Sequence, residues 1–241
     1  MKTHAYSLLL KSTLLCTISA LATAADGTSE IELPTRIEDS LRRSTNIETL
    51  SHDIEKISYA SCLPCHGEQA EGKRSILAPS LAGQERWYLE RQISNFQAGI
   101  RGIHQEDIQG ATMRAMSLLL MDDTARDRVL DEIEAFPDAT PAPLETTHYN
   151  LESGQERYTI SCALCHGEQA EGNEAEGAPR LNTLPAWYTA RQLRNFQLGI
   201  RGKHSDDSFG KNMRPMAMVV YQENEILDVA AYIATLNQND Q

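Results

Sequence analysis

Apolar residues recur along this chain at the three- and four-residue spacing of amphipathic helices, and the order of helices appears twice. Leu89, Ile93 and Phe96 fall at i, i+4 and i+7, which predicts a helix over residues 85–99. Val129, Ile133 and Phe136 form the inner stripe of a second helix over 122–136, with Asp122 or Asp123 placed to cap it. A proline-rich break follows at 137–143, and then the cycle restarts. Helices are expected near 151–161, 186–199 and 223–236, the last with Ile226, Val229, Ala230 and Ile233 on one face. A shorter helix over 47–61, carrying Ile54 and Ile57 on one side, precedes the first repeat. Residues 67–84, punctuated by Gly67, Gly72, Pro79 and Gly83, read as a loop. The Gly-containing stretch that holds His104, Met113 and Met116 reads as an irregular methionine loop. No segment alternates with the period of a strand, so the fold class expected is all-α: two tandem domains, 47–136 and 149–238, joined by a Pro-rich linker at 137–148.

Each half contains the same five-residue motif. Cys62-Leu63-Pro64-Cys65-His66 returns 100 positions later as Cys162-Ala163-Leu164-Cys165-His166. C-x-x-C-H is the attachment signature of c-type haem. Two thiols one helical turn apart can add to the two vinyl groups of haem, and the adjacent histidine then lies under the iron, where a neutral imidazole nitrogen binds it. A redox C-x-x-C needs no histidine next to it. A zinc site needs further Cys or His at finger-like spacing, and only His104 and His204 are on offer. Two covalently bound haem c groups are therefore expected, held through Cys62, Cys65, Cys162 and Cys165, with iron on His66 and His166.

Composition supports this reading. Aromatic residues make up only 6% of the chain, a low share for packing two cores, and a buried haem in each half supplies apolar bulk. Residues 1–25 carry Lys2 and Lys11, an apolar run from 12 to 21 and a small-residue Ala22-Thr23-Ala24 site, which reads as a cleaved secretory signal. The apolar run is well short of the ~20 residues that span a bilayer. Residues 26–46 read as an acidic flexible arm. Of five cysteines, four sit in the two motifs and Cys16 lies in the signal, so no structural disulfide is left to form. Export to the periplasm is expected. The net charge of −12 becomes −14 once Lys2 and Lys11 are removed, which excludes a nucleic-acid binder. The acidic surface serves solubility, and it also steers toward a basic face on a redox partner.

Between 61–116 and 161–216 the register holds at 100 without a gap, and about half the positions match. Outside the haem motif the identities gather at Pro79/179, at Trp87, Tyr88, Arg91, Gln92, Asn95 and Phe96 with their partners, at Gly99–Gly102 and His104 with theirs, and at Met113-Arg114-x-Met116 with its copy. A six-coordinate haem needs a second axial ligand. Met113/213, Met116/216 and His104/204 are candidates in both copies. Methionine sulfur favours the ferrous iron and raises the potential, whereas a second histidine lowers it. A methionine that is not a ligand packs in the core.

The order C-x-x-C-H-G, A-P-x-L, W-Y-x-x-R-Q-x-x-N-F, M-R-x-M and a closing helix resembles the class I cytochrome c fold. The tandem copy, over nearly all of residues 50–238, resembles the diheme cytochrome c4 family. That resemblance implies the first methionine of each M-x-x-M as ligand: Met113, with Leu120 seven residues on, and Met213, with Val220. It implies that the carbonyls of Pro79 and Pro179 accept the free N–H of the ligating histidines. It also makes Trp87, Tyr88, Arg91, Trp187, Tyr188 and Arg191 candidates to hold haem propionates, with Arg101 and Arg201 behind them. The sequence departs from the usual pattern in the long Arg-Gly-x-His segment, which keeps a bis-His haem through His104 and His204 as the alternative.

The expected function is that of an exported diheme electron carrier, not an enzyme. It passes single electrons between a donor complex and a terminal oxidase or similar acceptor. The expected protein is a monomer, meeting membranes only through its partners. A diheme oxidoreductase, or an electron-relay subunit of a larger dehydrogenase or oxidase, is the alternative. Enzymes of that kind make their two haems unequal, and here both halves carry the same candidate ligands.

Overall fold

The computed structural model describes residues 55–141 and 148–237. The expected signal (1–25), the acidic arm (26–46), the first part of the lead-in helix (47–54), residues 142–147 of the linker and residue 238 lie outside the described residues. The N-terminal half runs through α1 (Leu63–His66), α2 (Arg86–Gln97), α3 (Ile108–Ser117) and α4 (Asp123–Glu134). The C-terminal half runs through α5 (Leu151–Ser161), α6 (Ala163–His166), α7 (Ala186–Gln197), α8 (Ser208–Ala217) and α9 (Glu223–Leu236). Among the described residues the only β pairing is two isolated bridges, Lys73 with Ala78 and Asn173 with Ala178, which pinch equivalent loops. Both halves lie within one compact unit.

The helices start where side chains can accept their free N–H groups. Asp122 accepts from Ala125 N–H at 2.9 Å to open α4, and Asn150 accepts from Ser153 N–H at 3.0 Å to open α5. The apolar stripes then turn inward. Leu130, Val129 and Ile133 of α4 are buried with Leu89, Leu120 and Tyr59, and Val229, Ala230 and Ile233 of α9 are buried with Tyr158, Leu193 and Phe196. Each such fully buried Leu, Ile or Val contributes roughly 1.5–3 kcal/mol.

The methionine segments differ from the sequence expectation. They are helices, α3 and α8, not irregular loops. Asp107 accepts from Gly110 N–H at 3.0 Å and Asp207 from Gly210 N–H at 2.9 Å, so each helix has a capped start that the surrounding glycines disguise. The C-terminal carbonyls are also tied down. Gln97 Nε2 donates to Ser117 O and Leu120 O, both at 2.9 Å, and Gln197 does the same to Ala217 O and Val220 O.

The lead-ins to the two haem motifs differ in a compensating way. Tyr59 stands three residues before Cys62, whereas Tyr158 stands four before Cys162. The first half uses a 3₁₀ turn, Tyr59–Ser61, with Cys62 N–H bonded to Tyr59 O, and the second uses the α-helix, with Cys162 N–H bonded to Tyr158 O. The tighter helix absorbs the missing residue. Both phenols therefore reach the same target, the carbonyl of Gly67 at 2.7 Å and of Gly167 at 2.6 Å.

The linker residues 137–141 are pinned to both halves. Ala139 N–H donates to Ala82 O at 3.3 Å, Asn237 Nδ2 donates to Ala139 O at 3.0 Å, and Asp138 pairs with Arg180 at 2.6 Å.

Helices α5 and α9 approach so closely at Gly154 that a Cβ there would lie 2.3 Å from Asp228 O. Gly154→Ala is expected to destabilise the loaded protein by at least ~1–3 kcal/mol, because backbone must move to admit one methyl. Thermal unfolding checks this.

Candidate haem-binding sites

Each C-x-x-C-H motif forms a single helical turn. His66 N–H and Cys65 N–H both return to Cys62 O, at 2.9 and 3.1 Å, and His166 and Cys165 repeat the arrangement on Cys162 O at 3.0 and 3.1 Å. One turn thus carries two thiols and an imidazole. The turn ends at Gly67 (φ 91, ψ 171) and Gly167 (φ 84, ψ 160), a region closed to residues with a Cβ.

The histidines are buried, and their protonation is fixed by one contact. His66 Nδ1 lies 2.9 Å from Pro79 O, and His166 Nδ1 lies 2.8 Å from Pro179 O. A carbonyl can only accept, so Nδ1 carries the proton and Nε2 keeps its lone pair. Burial pushes both imidazoles below their ordinary pKa, with the proline carbonyls pulling the other way, which favours the neutral ring that binds a metal. Burial also pushes the thiols of Cys62 and Cys162 up to about 11. A thiol–disulfide catalyst needs the opposite shift.

Each motif opens into a cavity, about 350 Å³ in the N-terminal half and about 320 Å³ in the C-terminal half. The first is lined by Cys62, Cys65, His66 and Pro79 with Leu89, Ile93, Phe96, Leu120 and Val129, and the second by the equivalents Cys162, Cys165, His166 and Pro179 with Leu193, Phe196, Val220 and Val229. An apolar box with two thiols, a bare imidazole nitrogen and a thioether on its walls fits an iron porphyrin.

Both methionines of each pair line the cavities, but they are not equivalent. Met113 and Met213 are half-buried, whereas Met116 and Met216 are 38% and 39% exposed. His104 and His204 line neither cavity. Their Nδ1 atoms accept the backbone N–H of Glu106 and Asp206, at 3.3 and 3.2 Å.

The candidate propionate residues gather at the seam between the halves, in an arrangement that exchanges equivalents. Arg101 donates to Gln92 Oε1, Tyr188 Oη and Gln192 Oε1 at 2.8–3.1 Å, and Arg201 donates to Gln192 Oε1, Tyr88 Oη and Gln92 Oε1 at 2.9–3.0 Å. Tyr88, Tyr188, Gln92 and Gln192 touch both cavities. Burial raises the Tyr188 phenol, but the Arg101 and Arg201 cations outweigh it and bring its pKa below the ordinary value. Trp87 and Trp187 line neither cavity. They pack edge-on against Tyr88 and Tyr188 and lie under the guanidiniums of Arg91 and Arg191. Sequence reading counted Gln92 and Gln192 among the recurring residues without giving them a role, and it missed the caps Asp107 and Asp207, which also recur at a spacing of 100.

The cytochrome c family profile matches residues 151–237. The match falls on the half that carries the second cavity. Beyond it, the chain is 28% identical over 187 residues to cytochrome c4 of Azotobacter vinelandii, covering 74% of this chain and 85% of that one. It is 27% identical over 192 residues to the thiosulfate dehydrogenase electron acceptor of Stutzerimonas stutzeri (strain A1501), covering 75% and 81%. The solved cytochrome c4 of Acidithiobacillus ferrooxidans superposes with a TM-score of 0.59 at 23% identity, over 73% of this chain and 99% of that one. The fold is that of a two-domain class I cytochrome c. The cytochrome c family implies covalently bound haem c.

When bound, haem supplies one-electron iron chemistry. Cys62, Cys65, Cys162 and Cys165 would anchor it, the carbonyls of Pro79 and Pro179 orient His66 and His166 toward it, and the apolar walls would keep water from it. Met113→Ala is expected to remove the far-red absorption of a methionine-ligated ferric haem from the N-terminal half, while Met116→Ala leaves it, as an optical spectrum of the oxidised protein reads out. Asp107→Ala, which uncaps α3, is expected to cost about 1 kcal/mol in denaturant unfolding.

Proposed function

We propose that the chain is an exported, cytochrome c4-like diheme electron carrier of the periplasm. The observation that supports this most is the pair of apolar cavities. Each has a C-x-x-C-H turn whose histidine is held by a proline carbonyl, and each has one half-buried methionine on its wall. In this reading Met113 and Met213 complete the iron coordination, and both axial faces are closed. The protein then exchanges electrons and performs no substrate chemistry. Two like sites suit a carrier; a diheme enzyme needs one open iron.

Its partners are redox proteins, a donor complex on one side and an oxidase or similar acceptor on the other. The likeness to a protein named as a thiosulfate dehydrogenase electron acceptor favours a second version, in which the donor is a dehydrogenase of inorganic sulfur compounds. Export is supported by the basic and apolar residues of 1–25 and by the commitment of every later cysteine to a haem motif. No helix among the described residues is long and apolar enough to cross a membrane.

Mass spectrometry of the exported chain tests the core of the reading. A mass exceeding that of the processed polypeptide by two haems is expected, together with a reduced protein that does not bind carbon monoxide. An unmodified polypeptide mass, or ready carbon monoxide binding, would defeat it.

A further inference from the structure

Two equivalent arginines have changed places across the seam. Arg91 belongs to the N-terminal half but lines the C-terminal cavity, and Arg191 lines the N-terminal cavity and not its own. Their contacts are reciprocal. Arg91 Nη2 donates to Gly177 O at 2.6 Å, and Arg191 Nη2 donates to Leu77 O at 3.1 Å. Leu77 and Gly177 are equivalent positions, both in the left-handed region with φ of 59° and 64°. The conformation that turns each carbonyl to its visitor is thus kept even where a leucine must adopt it.

These contacts leave one group unsatisfied. Arg191 Nη1 is buried and has no hydrogen-bond partner among the described residues. A buried charged donor without an acceptor is strongly unfavourable, so such an atom marks a missing anion. The carboxylates near the seam do not bond to this atom: Asp107 and Asp207 act on Arg191 and Arg91 through charge but accept the N–H of Gly110 and Gly210, and the two arginines bond carbonyl oxygens. Haem carries two carboxylates, and the cavity that Arg191 lines is the one that fits a haem.

We propose that Arg191 of the C-terminal half binds a carboxylate of the N-terminal haem and sets that haem's potential, with Arg91 serving the C-terminal haem in return. The inference rests on the haem occupancy of both cavities proposed above. A cation beside a haem favours the reduced state, which carries one positive charge fewer on iron. Each half thereby tunes its neighbour, and neither potential belongs to one half alone.

The test is an NMR-monitored redox titration of the full, haem-loaded chain, with each haem assigned to its half by contacts from haem methyls to Leu130 or Val229. R191Q is expected to lower the reduction equilibrium constant of the N-terminal haem by about tenfold, about 59 mV for one electron, and to move the C-terminal haem several-fold less. R91Q is expected to do the reverse. R191K, which keeps the charge, recovers most of the shift. A response of the C-terminal haem to R191Q as large as that of the N-terminal haem or larger, unmoved potentials in both variants, or equal shifts for Gln and Lys would overturn the proposal. A chain found by mass to lack either haem would overturn the proposed function first, and this inference with it.

Discussion

The bond from the Nδ1–H of each motif histidine to the carbonyl of a loop proline is the contact on which both sites depend. It commits one ring nitrogen to the backbone, leaves the other bare and fixes the ring in its plane. Much of the surrounding architecture exists to hold the two ends of that bond. On the histidine side, the one-turn helix is stopped by Gly67 or Gly167, whose carbonyl is held by a buried tyrosine phenol. On the proline side, a β-bridge pinches the loop and Leu81 or Leu181 N–H returns to the left-handed Ala70 or Ala170.

The same logic extends to the methionine wall. Helices α3 and α8 are too short to be stable alone. They are held at one end by an aspartate cap and at the other by a glutamine from the neighbouring helix, which bonds the last carbonyl of the helix and one in the turn beyond it. A methionine on such a helix is brought to the cavity wall by these helix-end contacts, and Met213 also packs against the C-terminal core. The sulfur can then serve iron instead of filling a gap.

Much of this was legible in the sequence because helix periodicity and a duplicated motif are both local signals. The stripes of Leu89–Phe96 and Ile226–Ile233 gave helices within a residue or two of those observed, and the cysteines and histidines marked the cavities. The methionine segment was not legible as helix, because Gly110 and Gly210 argue for a loop until Asp107 and Asp207 are seen to cap the turn. The one-residue offset between Tyr59 and Tyr158 lies before the gapless register that begins at residues 61 and 161, and the structure explains it by a 3₁₀ turn replacing an α turn. The exchange of Arg91 and Arg191 is a tertiary fact. Sequence spacing marks a recurring arginine, but it does not say which half's cavity that arginine lines.

Two copies of one domain, packed so that equivalent residues face each other, make a pseudo-symmetric pair whose centre is polar and whose two cavities are apolar. The seam joins the sites through Tyr88, Gln92, Tyr188 and Gln192 and keeps the halves from acting as independent beads. The central claim is that each half closes both axial faces of an iron porphyrin with its histidine and its first methionine. Electron paramagnetic resonance of the oxidised, resting protein tests it most directly: two low-spin ferric signals are predicted, and a substantial high-spin signal from either half would contradict it.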